Sequence, residues 1–248
     1  MDKFILEVCV DSVESAVAAA KGGATRLELC ANLIIGGTSP SPYLFEEIRK
    51  HTQIPIHVLL RPRFGDFCYT ESEFAILKQE IAAFKRMGAE GAVIGILTPD
   101  GNLDQQRLAE MTALAPGMSL TLHRAFDVCK DPIQAMEQAI ALGFSTILTS
   151  GQKNSALEGA ELIAELTAQS AGRIAIQAGS GVNAQVIKQL YPLTKTTAYH
   201  MSGKMTLDSR MRYRKEGVSM GIGSVSEYEI WQTNEEAVRE ARTVLEGL

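Results

Sequence analysis

The sequence predicts one closed barrel of eight parallel strands surrounded by helices, the α/β fold known as the (β/α)8 or TIM barrel. The chain has 248 residues, which is about the length of one such barrel. Eight strand-like runs alternate along it with helix-like runs. No Gly-x-Gly-x-x-Gly turn follows the first strand, which disfavours an open doubly wound sheet, the competing architecture for this kind of repeat. We therefore expect a single domain covering residues 1–248.

Each predicted strand is a short apolar run, and each predicted helix is a longer run with apolar residues on one face. The strands are predicted at Phe4–Val10, Arg26–Cys30, Pro55–Leu60, Ala92–Leu97, Ser119–Ala125, Thr146–Thr149, Arg173–Ala178 and Ala198–Met201. The helices are predicted at Ser12–Lys21, Leu44–His51, Glu71–Met87, Leu103–Leu114, Pro132–Leu142, Ala156–Gln169, Ala184–Leu190 and Glu235–Leu245. Glycines stand where helix C-terminal caps are expected, at Gly22-Gly23, Gly88 and Gly143.

Residues 204–233 have the least regular pattern of the chain, and we predict an irregular segment there. It contains Met211, Arg212 and Arg214, and it becomes glycine-rich at Gly221–Gly223. Three interpretations are open: a lid over the barrel, a contact between subunits, or irregular packing. Because barrels of this kind often associate, we expect a homo-oligomer, with this segment as a candidate contact surface.

The composition excludes several classes of partner. The formal net charge is −5 at pH 7, which argues against nucleic acids and anionic membrane surfaces, since these attract basic patches. No window approaches the roughly 20 apolar residues that span a bilayer, and the N-terminus has only a short apolar run. The four cysteines are scattered, which is typical of reduced thiols. We therefore expect a cytoplasmic protein without a nucleic-acid or membrane partner.

The stretch Ser119–Asp127, SLTLHRAFD, has the clearest functional pattern. Leu120 and Leu122 alternate with polar residues, as in a buried strand, and the run then continues into Arg124 and Asp127. A purely structural strand does not need these charged residues. We expect a strand that ends in a functional loop before the next helix.

The alternation of side chains predicts which residues face the barrel axis. One face of a barrel strand packs on the helices and is apolar, and the other points inward, with polar groups near the C-terminal mouth. The residues assigned to the interior are Glu7, Cys9, Glu28, Cys30, His57, Arg61, Thr121, His123, Gln177, His200 and Ser202. An unpaired buried polar group costs about 1–3 kcal/mol, so this concentration indicates a functional site. A structural network of ion pairs is the open alternative, with Arg61, Arg63, Arg124 and the histidines as expected partners of the two carboxylates.

Two loops are candidates for holding an anion. The loop after the third strand, RPRFGDFCYT, carries Arg61, Arg63 and Asp66, and two guanidinium groups suit a carboxylate or a phosphate. The loop after the seventh strand has small residues whose backbone N–H groups lie beside a helix start. The residues predicted at this second position are Gly179, Ser180, Gly181 and, after the eighth strand, Ser202. We expect a small anionic ligand at these loops.

Several of these motifs occur together, in the same order, in a known family. They are Glu28-Leu29-Cys30, the GGTSPS loop, His57 with RPRFGDFCY, HRAFD, TSGQ, AGSGV, and His200 with Ser202. The chain therefore resembles the CutC family of copper-homeostasis proteins over most of its length, and the resemblance is looser after Ser202. It implies a cytoplasmic TIM-barrel protein associated with copper handling.

The resemblance adds copper to the candidate ligands. Cu(I) favours sulfur ligands and accepts imidazole, and Cys9 and Cys30 lie on adjacent predicted strands at similar height. His57, His123 and His200, or the thioether of Met201, would supply further ligands. The sequence lacks the Met-rich or Cys-x-x-Cys motif of a dedicated copper carrier.

Two functions from different classes are open. The first is Cu(I) binding in copper homeostasis. The second is a lyase-like or isomerase-like enzyme acting on a small phosphorylated or carboxylated metabolite. In this enzyme Glu7, Glu28 and His123 are acid–base groups or ligands of a divalent metal, and the carboxylate of Asp127 orients the guanidinium of Arg124. No lysine is assigned to an inward position, which disfavours a Schiff-base aldolase.

Overall fold

A computed structural model describes residues 3–223 and 225–248, so the predicted domain 1–248 and segment 204–233 include residues outside the described part, namely Met1, Asp2 and Ser224. The barrel strands are β1 Ile5–Val10, β2 Arg26–Leu29, β3 Ile56–Leu59, β4 Gly91–Ile94, β5 Ser119–Leu122, β6 Thr146–Thr149, β7 Ala175–Ala178 and β8 Ala198–Met201. Over the described residues these eight strands pair in parallel and in sequence order, and β1 closes the barrel by pairing with β8. The predicted TIM-barrel fold is therefore confirmed.

Helices follow the strands and surround the barrel. They are α1 Val13–Lys21, α2 Pro42–Arg49, α3 Glu71–Arg86, α4 Gln105–Leu114, α5 Pro132–Ala141, α6 Ala160–Ser170, α7 Ala184–Thr194 and α8 Glu235–Glu246, with 3-10 helices at Leu33–Ile35 and Arg124–Val128. Capping side chains fix several helix starts, among them Ser12 for α1, Thr70 for α3 and Asp131 for α5. None of the described helices is long and apolar enough to cross a membrane.

The apolar core lies between the barrel and its helices. Leu6, Val8 and Val10 of β1 are fully buried on this outer face and belong to one cluster with apolar residues of the helices. Burying a side chain of this size stabilises a fold by about 1.5–3 kcal/mol. The outer face therefore holds the barrel together, which leaves the inner face free to carry polar residues.

The strand register brings the inward polar residues to similar heights. Glu7 on β1 lies opposite His200 on β8. Glu28 on β2 lies opposite both Cys9 on β1 and His57 on β3. Because the strands are parallel and closed, these side chains meet in the barrel interior.

The strand in SLTLHRAFD is shorter than the predicted Ser119–Ala125. β5 ends at Leu122 and the chain turns at His123 into the 3-10 helix, because the backbone N–H of Ala125 donates to His123 Nδ1 at 3.1 Å. Arg124 and Asp127 therefore belong to a helical turn beyond the end of the strand.

The prediction that residues 204–233 are irregular is wrong for the two ends of the segment. β9 Lys204–Asp208 and β10 Glu229–Thr233 form a two-stranded antiparallel sheet. Lys204 Nζ lies 3.4 Å from the centroid of the Trp231 ring, and both residues line the cavity described below. The base of this hairpin is therefore part of the cavity wall.

Candidate active site

A cavity of about 360 Å³ lies at the carboxyl-end mouth of the barrel. The predicted site residues that line it are Cys9, Glu28, Cys30, Arg61, His123, Arg124, Ser180, Gly181, His200 and Ser202. The predicted site residues that do not line it are Glu7, His57, Arg63, Asp66, Asp127 and Gly179. Leu33, Leu59 and Leu148 form an apolar part of the wall, so the cavity combines apolar surface with a few convergent polar groups, as ligand sites do.

Glu7 is fully buried below the cavity in a hydrogen-bonded network of four residues. Arg26 Nε donates to Glu7 Oε2 at 2.5 Å, and Gln177 Nε2 donates to Glu7 Oε1 at 3.0 Å. Arg26 Nη2 also donates to Gln177 Oε1 at 3.2 Å. His200 Nδ1 lies 2.8 Å from Glu7 Oε1. Glu7 therefore fixes the orientation of the His200 ring in the cavity wall, as a carboxylate does for a histidine in a catalytic triad.

The network sets the charges of Glu7 and His200. Burial opposes ionisation of Glu7, but the charge of Arg26 and the hydrogen bond with His200 outweigh it and hold the Glu7 pKa well below its usual range. Burial also opposes a charge on His200, but Cys9, Glu28 and Glu7 outweigh it and raise the His200 pKa well above its ordinary value. This direction favours the imidazolium form of His200, in which Nδ1–H donates to the ionised Glu7.

Glu28 lies beside this network and lines the cavity. Burial raises the pKa of Glu28 to about 7, although the positive charge of His200 acts against the increase. Glu28 Oε2 is 3.5 Å from His200 Nδ1 and has no hydrogen-bond partner among the residues that the structure describes. A carboxyl group with this pKa exchanges a proton readily at neutral pH.

Sequence reasoning missed Arg26, the ion-pair partner of Glu7. The apolar alternation of β2 begins at Leu27, yet Arg26 has the same parity as Glu28 and therefore faces the same interior. The sequence suggests Arg61, Arg63, Arg124 or a histidine as the partner. The structure has a histidine there, His200, but the arginine is Arg26 and none of the three suggested. Extending the alternation by one position toward the start of β2 identifies the pair.

Two other histidines are buried, and each rests on a glycine of the fourth strand region. A Cβ at Gly91 would lie 2.4 Å from the His57 ring, and a Cβ at Gly95 would lie 2.5 Å from the His123 ring. Burial lowers the pKa of His57 to about 4 and that of His123 to about 3. Both rings are therefore neutral at pH 7, and only His123 reaches the cavity wall.

Arg61 is held by backbone carbonyls and not by a carboxylate. Its Nη1 donates to the carbonyls of residues 35–37 at 3.0–3.4 Å, and its Nη2 donates to the carbonyl of Gly65 at 2.9 Å. No ion pair of Arg61 with an Asp or a Glu is found among residues 3–223 and 225–248. Arg61 thereby ties the loops after β2 and β3 together and keeps a buried positive charge at the cavity.

Arg63 and Asp66, both predicted to bind a ligand, instead fold their own loop. Arg63 Nη2 donates to Asp66 Oδ1 at 2.9 Å, and Arg63 Nε donates to Glu73 Oε1 at 2.6 Å. Neither predicted residue lines the cavity. The geometry therefore gives them no contact with a ligand there.

Asp127 holds the Arg124 side chain at the cavity. Arg124 Nε donates to Asp127 Oδ2 at 2.7 Å, and Arg124 Nη2 donates to Ser150 Oγ at 2.8 Å. Asp127 also accepts hydrogen bonds from the Thr149 hydroxyl at 2.5 Å and from the Ser150 backbone N–H at 3.0 Å. Because these donors occupy both of its oxygens, Asp127 acts on the cavity only through Arg124.

The wall of the cavity is rich in positive charge, although the chain as a whole has a net charge of −5. Arg61, Arg124 and Lys204 line the cavity, and the lining carboxylates are Asp11 and Glu28. Since the Glu28 pKa is about 7, its negative charge is only partial at neutral pH. The electrostatics therefore favour an anionic ligand.

The predicted copper ligands Cys9 and Cys30 both line the cavity. The Cys9 thiol donates to the Met201 carbonyl at 3.6 Å, and the Cys30 thiol donates to the Val10 carbonyl at 3.5 Å. Burial and nearby negative groups raise the pKa of Cys30 well above its ordinary value. This opposes the thiolate form that binds Cu(I), so the two thiols are only a partial fit to a resident copper ion.

One group of three metal-ligand atoms occurs in the described part of the chain: Glu7, Glu28 and His200, with all three atoms within 4.8 Å of one another. Two carboxylates and an imidazole suit a divalent cation better than Cu(I). However, Arg26 and Gln177 already donate to both Glu7 oxygens, and the Arg26 charge repels a cation. We therefore interpret the group as part of a buried hydrogen-bonded network around Glu7.

Comparison with known proteins places the chain in a family. The sequence model of the CutC family matches residues 4–205. The copper homeostasis protein cutC homolog of Homo sapiens is 41% identical over 246 residues, 99% of this chain and 90% of that protein. A CutC protein of Vibrio campbellii is 42% identical over 97% of this chain and 98% of its own length. The solved structure of CutC from Streptococcus agalactiae covers 80% of this chain and 98% of its own, with 30% identity and a TM-score of 0.77. The family model matches most of the chain, and the relatives match it over nearly their whole length. We therefore conclude that this chain belongs to the CutC family.

Proposed function

We propose that this protein is an enzyme that transfers a proton to or from a small anionic metabolite, with Glu28 as the acid–base group. The observation that carries the proposal is the state of Glu28: its carboxyl group is buried at the cavity, and its Oε2 lacks a hydrogen-bond partner. Its pKa is about 7, and acid–base groups work best when their pKa lies near the operating pH.

The wall around Glu28 supports an anionic substrate of small size. Arg61, Arg124 and Lys204 line the cavity and attract a carboxylate or a phosphate. A volume of about 360 Å³ suits a metabolite and excludes a macromolecule from the interior.

His200 and Glu7 assist the proton transfer without exchanging protons themselves. The ionised form of Glu28 accepts a proton at Oε2, and the neutral form returns it to the product. The imidazolium of His200, 3.5 Å from that oxygen, stabilises the ionised form. Glu7 in turn keeps His200 protonated and oriented through their 2.8 Å contact.

The test is turnover of a defined mixture of sugar phosphates and 2-oxo acids, followed by mass spectrometry. We expect the wild-type protein to convert at least one compound and Glu28→Gln to convert it about a hundredfold more slowly or worse, the usual loss when an acid–base group is removed. Glu137→Gln, which removes an exposed carboxylate on α5, is the control and should keep full activity. Equal conversion by wild type and Glu28→Gln would contradict the proposal.

A second candidate function is Cu(I) binding as part of copper homeostasis. It is favoured by one observation, that Cys9, Cys30 and Met201 place three sulfur-containing side chains on the same cavity wall. The name shared by the relatives of this chain also points to copper. Because Cys30 must lose its proton to bind, the affinity for Cu(I) should rise with pH.

The copper candidate is tested by titrating the reduced protein with Cu(I) against a competing chelator. Loss of binding in the Cys9→Ser/Cys30→Ser variant, with binding kept in Cys68→Ser/Cys129→Ser, would support a copper site in the cavity. An unchanged copper stoichiometry in the first variant would exclude it.

We also propose a cytoplasmic location and a homo-oligomer. The four cysteines are free thiols, which suits a reducing compartment.

The homo-oligomer is supported by a group of strongly exposed apolar side chains between β9 and β10: Met211, Tyr213 and Met220. Exposed apolar groups of this kind are typical of subunit contacts. Light scattering would test the contact: the Tyr213→Ser/Met220→Ser variant should shift an oligomer toward monomer, and a wild-type monomer would refute it.

A further inference from the structure

We propose that Arg61 Nε–H and His123 Nε2–H together bind one oxyanion group of the ligand, a carboxylate or a phosphate. The inference rests on the proposed function, because it names the part of the substrate that the protein holds. It gives His123 the role of a neutral hydrogen-bond donor in place of the acid–base role that the sequence suggests.

The hydrogen bonding of His123 decides which ring nitrogen carries the proton. Its Nδ1 accepts the backbone N–H of Ala125 at 3.1 Å, so the neutral ring is protonated at Nε2. Burial and the nearby charge of Arg61 keep the ring neutral down to a pKa of about 3. His123 Nε2 is buried and has no hydrogen-bond partner. His123 therefore offers an unused N–H donor at every physiological pH and has no proton-accepting nitrogen free.

Arg61 also has a donor without an acceptor. Its Nη1 and Nη2 are occupied by carbonyl groups, whereas its Nε is buried without a partner. The residue is only 8% exposed, and it forms no ion pair in the part of the chain that the structure describes. Buried guanidinium groups are almost always paired with an anion. A ligand oxyanion would supply both the missing counter-charge and the missing acceptor.

The two residues that carry the unused donors pack against the same aromatic ring in the cavity wall. The Phe67 ring lies 4.9 Å from the His123 ring, centroid to centroid, and 5.1 Å from the Arg61 guanidinium carbon. All three residues line the cavity. Both donor atoms are buried, so a ligand reaches them only if a neighbouring side chain in the cavity wall moves.

His57 shows that burial alone does not make such a site. Like His123, it is a buried neutral histidine packed on a glycine, and its Nδ1 lacks a partner. Unlike His123, it does not line the cavity. His57 is therefore a matched internal control within the same barrel.

The test is NMR of the protein labelled with 15N-histidine, with oxalate and inorganic phosphate as the probes. We expect His123 to show the neutral Nε2–H tautomer from pH 5.5 to 8. At least one of the two anions should shift the His123 imidazole resonances and leave those of His57 in place. His123→Leu should weaken binding of that anion about tenfold or more, the usual effect of removing a hydrogen bond to a charged group.

Three results would overturn the inference: a protonated or Nδ1–H imidazole at pH 7, no shift of His123 with either anion, or unchanged anion affinity in His123→Leu. The first two are read from the wild-type protein, so the inference stays testable even if the variant folds poorly. Anion binding that depends on His123, combined with full turnover in Glu28→Gln, would refute the proposed function and leave this site standing. Turnover that depends on Glu28 without any His123 shift would do the reverse.

Discussion

The carboxylate of Glu7 is the negative charge that balances Arg26 in the buried hydrogen-bonded network of the barrel. It is fully buried, it accepts hydrogen bonds from Arg26 and Gln177, and it contacts His200. If its charge is removed, Arg26 remains in the barrel interior without a counter-ion. The loss of one partner of a buried ion pair is far more destabilising than the pair itself is stabilising.

We therefore expect Glu7→Gln to lower the free energy of unfolding by roughly 3–5 kcal/mol. Urea denaturation measures the change. The control is Glu137→Gln, which removes the carboxylate of an exposed ion pair with Arg173, and which should change stability much less. Equal losses of stability in the two variants would show that the Glu7 carboxylate is not required to balance the buried charge of Arg26.

Glu28 makes stability depend on pH. The unfolded chain titrates this carboxyl near its ordinary value of 4.5, whereas the folded protein holds the proton up to about pH 7. Between these values the folded protein binds more protons than the unfolded chain. The Glu28 contribution to stability is therefore lost as the pH rises from about 4.5 to about 7.

Glu28→Gln removes this penalty, because glutamine resembles the protonated carboxyl group in shape and charge. At pH 5 the variant and the wild type should unfold at similar urea concentrations. At pH 8 the variant should be more stable by roughly 1–3 kcal/mol. A stability difference that is the same at both pH values would mean that the carboxyl group does not titrate in this range.

Among the elements, β4 has glycine at the position that faces a buried histidine, and a second glycine follows the strand. The glycines at 91 and 95 leave space for the imidazole rings of His57 and His123, which any side chain would occupy. The same strand buries Ala92 and Ile94 on its outer face. β4 and the glycine that follows it therefore combine an ordinary apolar outer face with an inner face shaped for two histidines.

Gly91→Ala should destabilise the protein by about 1–3 kcal/mol through overpacking against the His57 ring. In a His57→Ala background the same substitution should have little effect, since the obstructing ring is gone. A thermodynamic cycle of the wild type, both single variants and the double variant, measured by urea denaturation, tests this. A loss from Gly91→Ala that is the same in both backgrounds would place the strain elsewhere.

The elements also show how far sequence reasoning reaches. The barrel was predictable because each βα unit repeats the same local signals, and the inward positions of Glu28 and His200 follow from alternation alone. Arg26 was missed because it stands at the first residue of β2, where the apolar alternation has no earlier residue to anchor it. The pairing of β9 with β10 was missed because the strands are half exposed and about twenty residues apart, so no local turn signal joins them.

The tautomer of His123 and the carbonyl contacts of Arg61 lie beyond any sequence pattern. The first depends on how the backbone of Ala125 turns back onto the His123 ring, and the second depends on where the carbonyl groups of the neighbouring loop stand. The sequence placed both residues at the mouth of the barrel. Only the folded structure shows which of their donor atoms remain unused.

For the whole molecule, the central feature is a cavity rich in positive charge inside an acidic protein. Arg61, Arg124 and Lys204 attract an anion, while Glu28 keeps a titratable proton next to them. The residues that line the cavity are largely distinct from those that stabilise the fold, because the apolar core lies between the strands and the helices. The family name of the relatives concerns copper, and the acid–base activity that we propose rests on the residues that line this cavity.

The most direct test of this account is hydrogen exchange between substrate carbon and solvent. The protein is incubated in D2O with the mixture of sugar phosphates and 2-oxo acids, and mass spectrometry records which compounds gain deuterium. The account predicts deuterium in at least one anionic compound with the wild-type protein, and about a hundredfold slower incorporation or none with Glu28→Gln. Incorporation that is equally fast with Glu28→Gln, or absent with the wild-type protein, would contradict it.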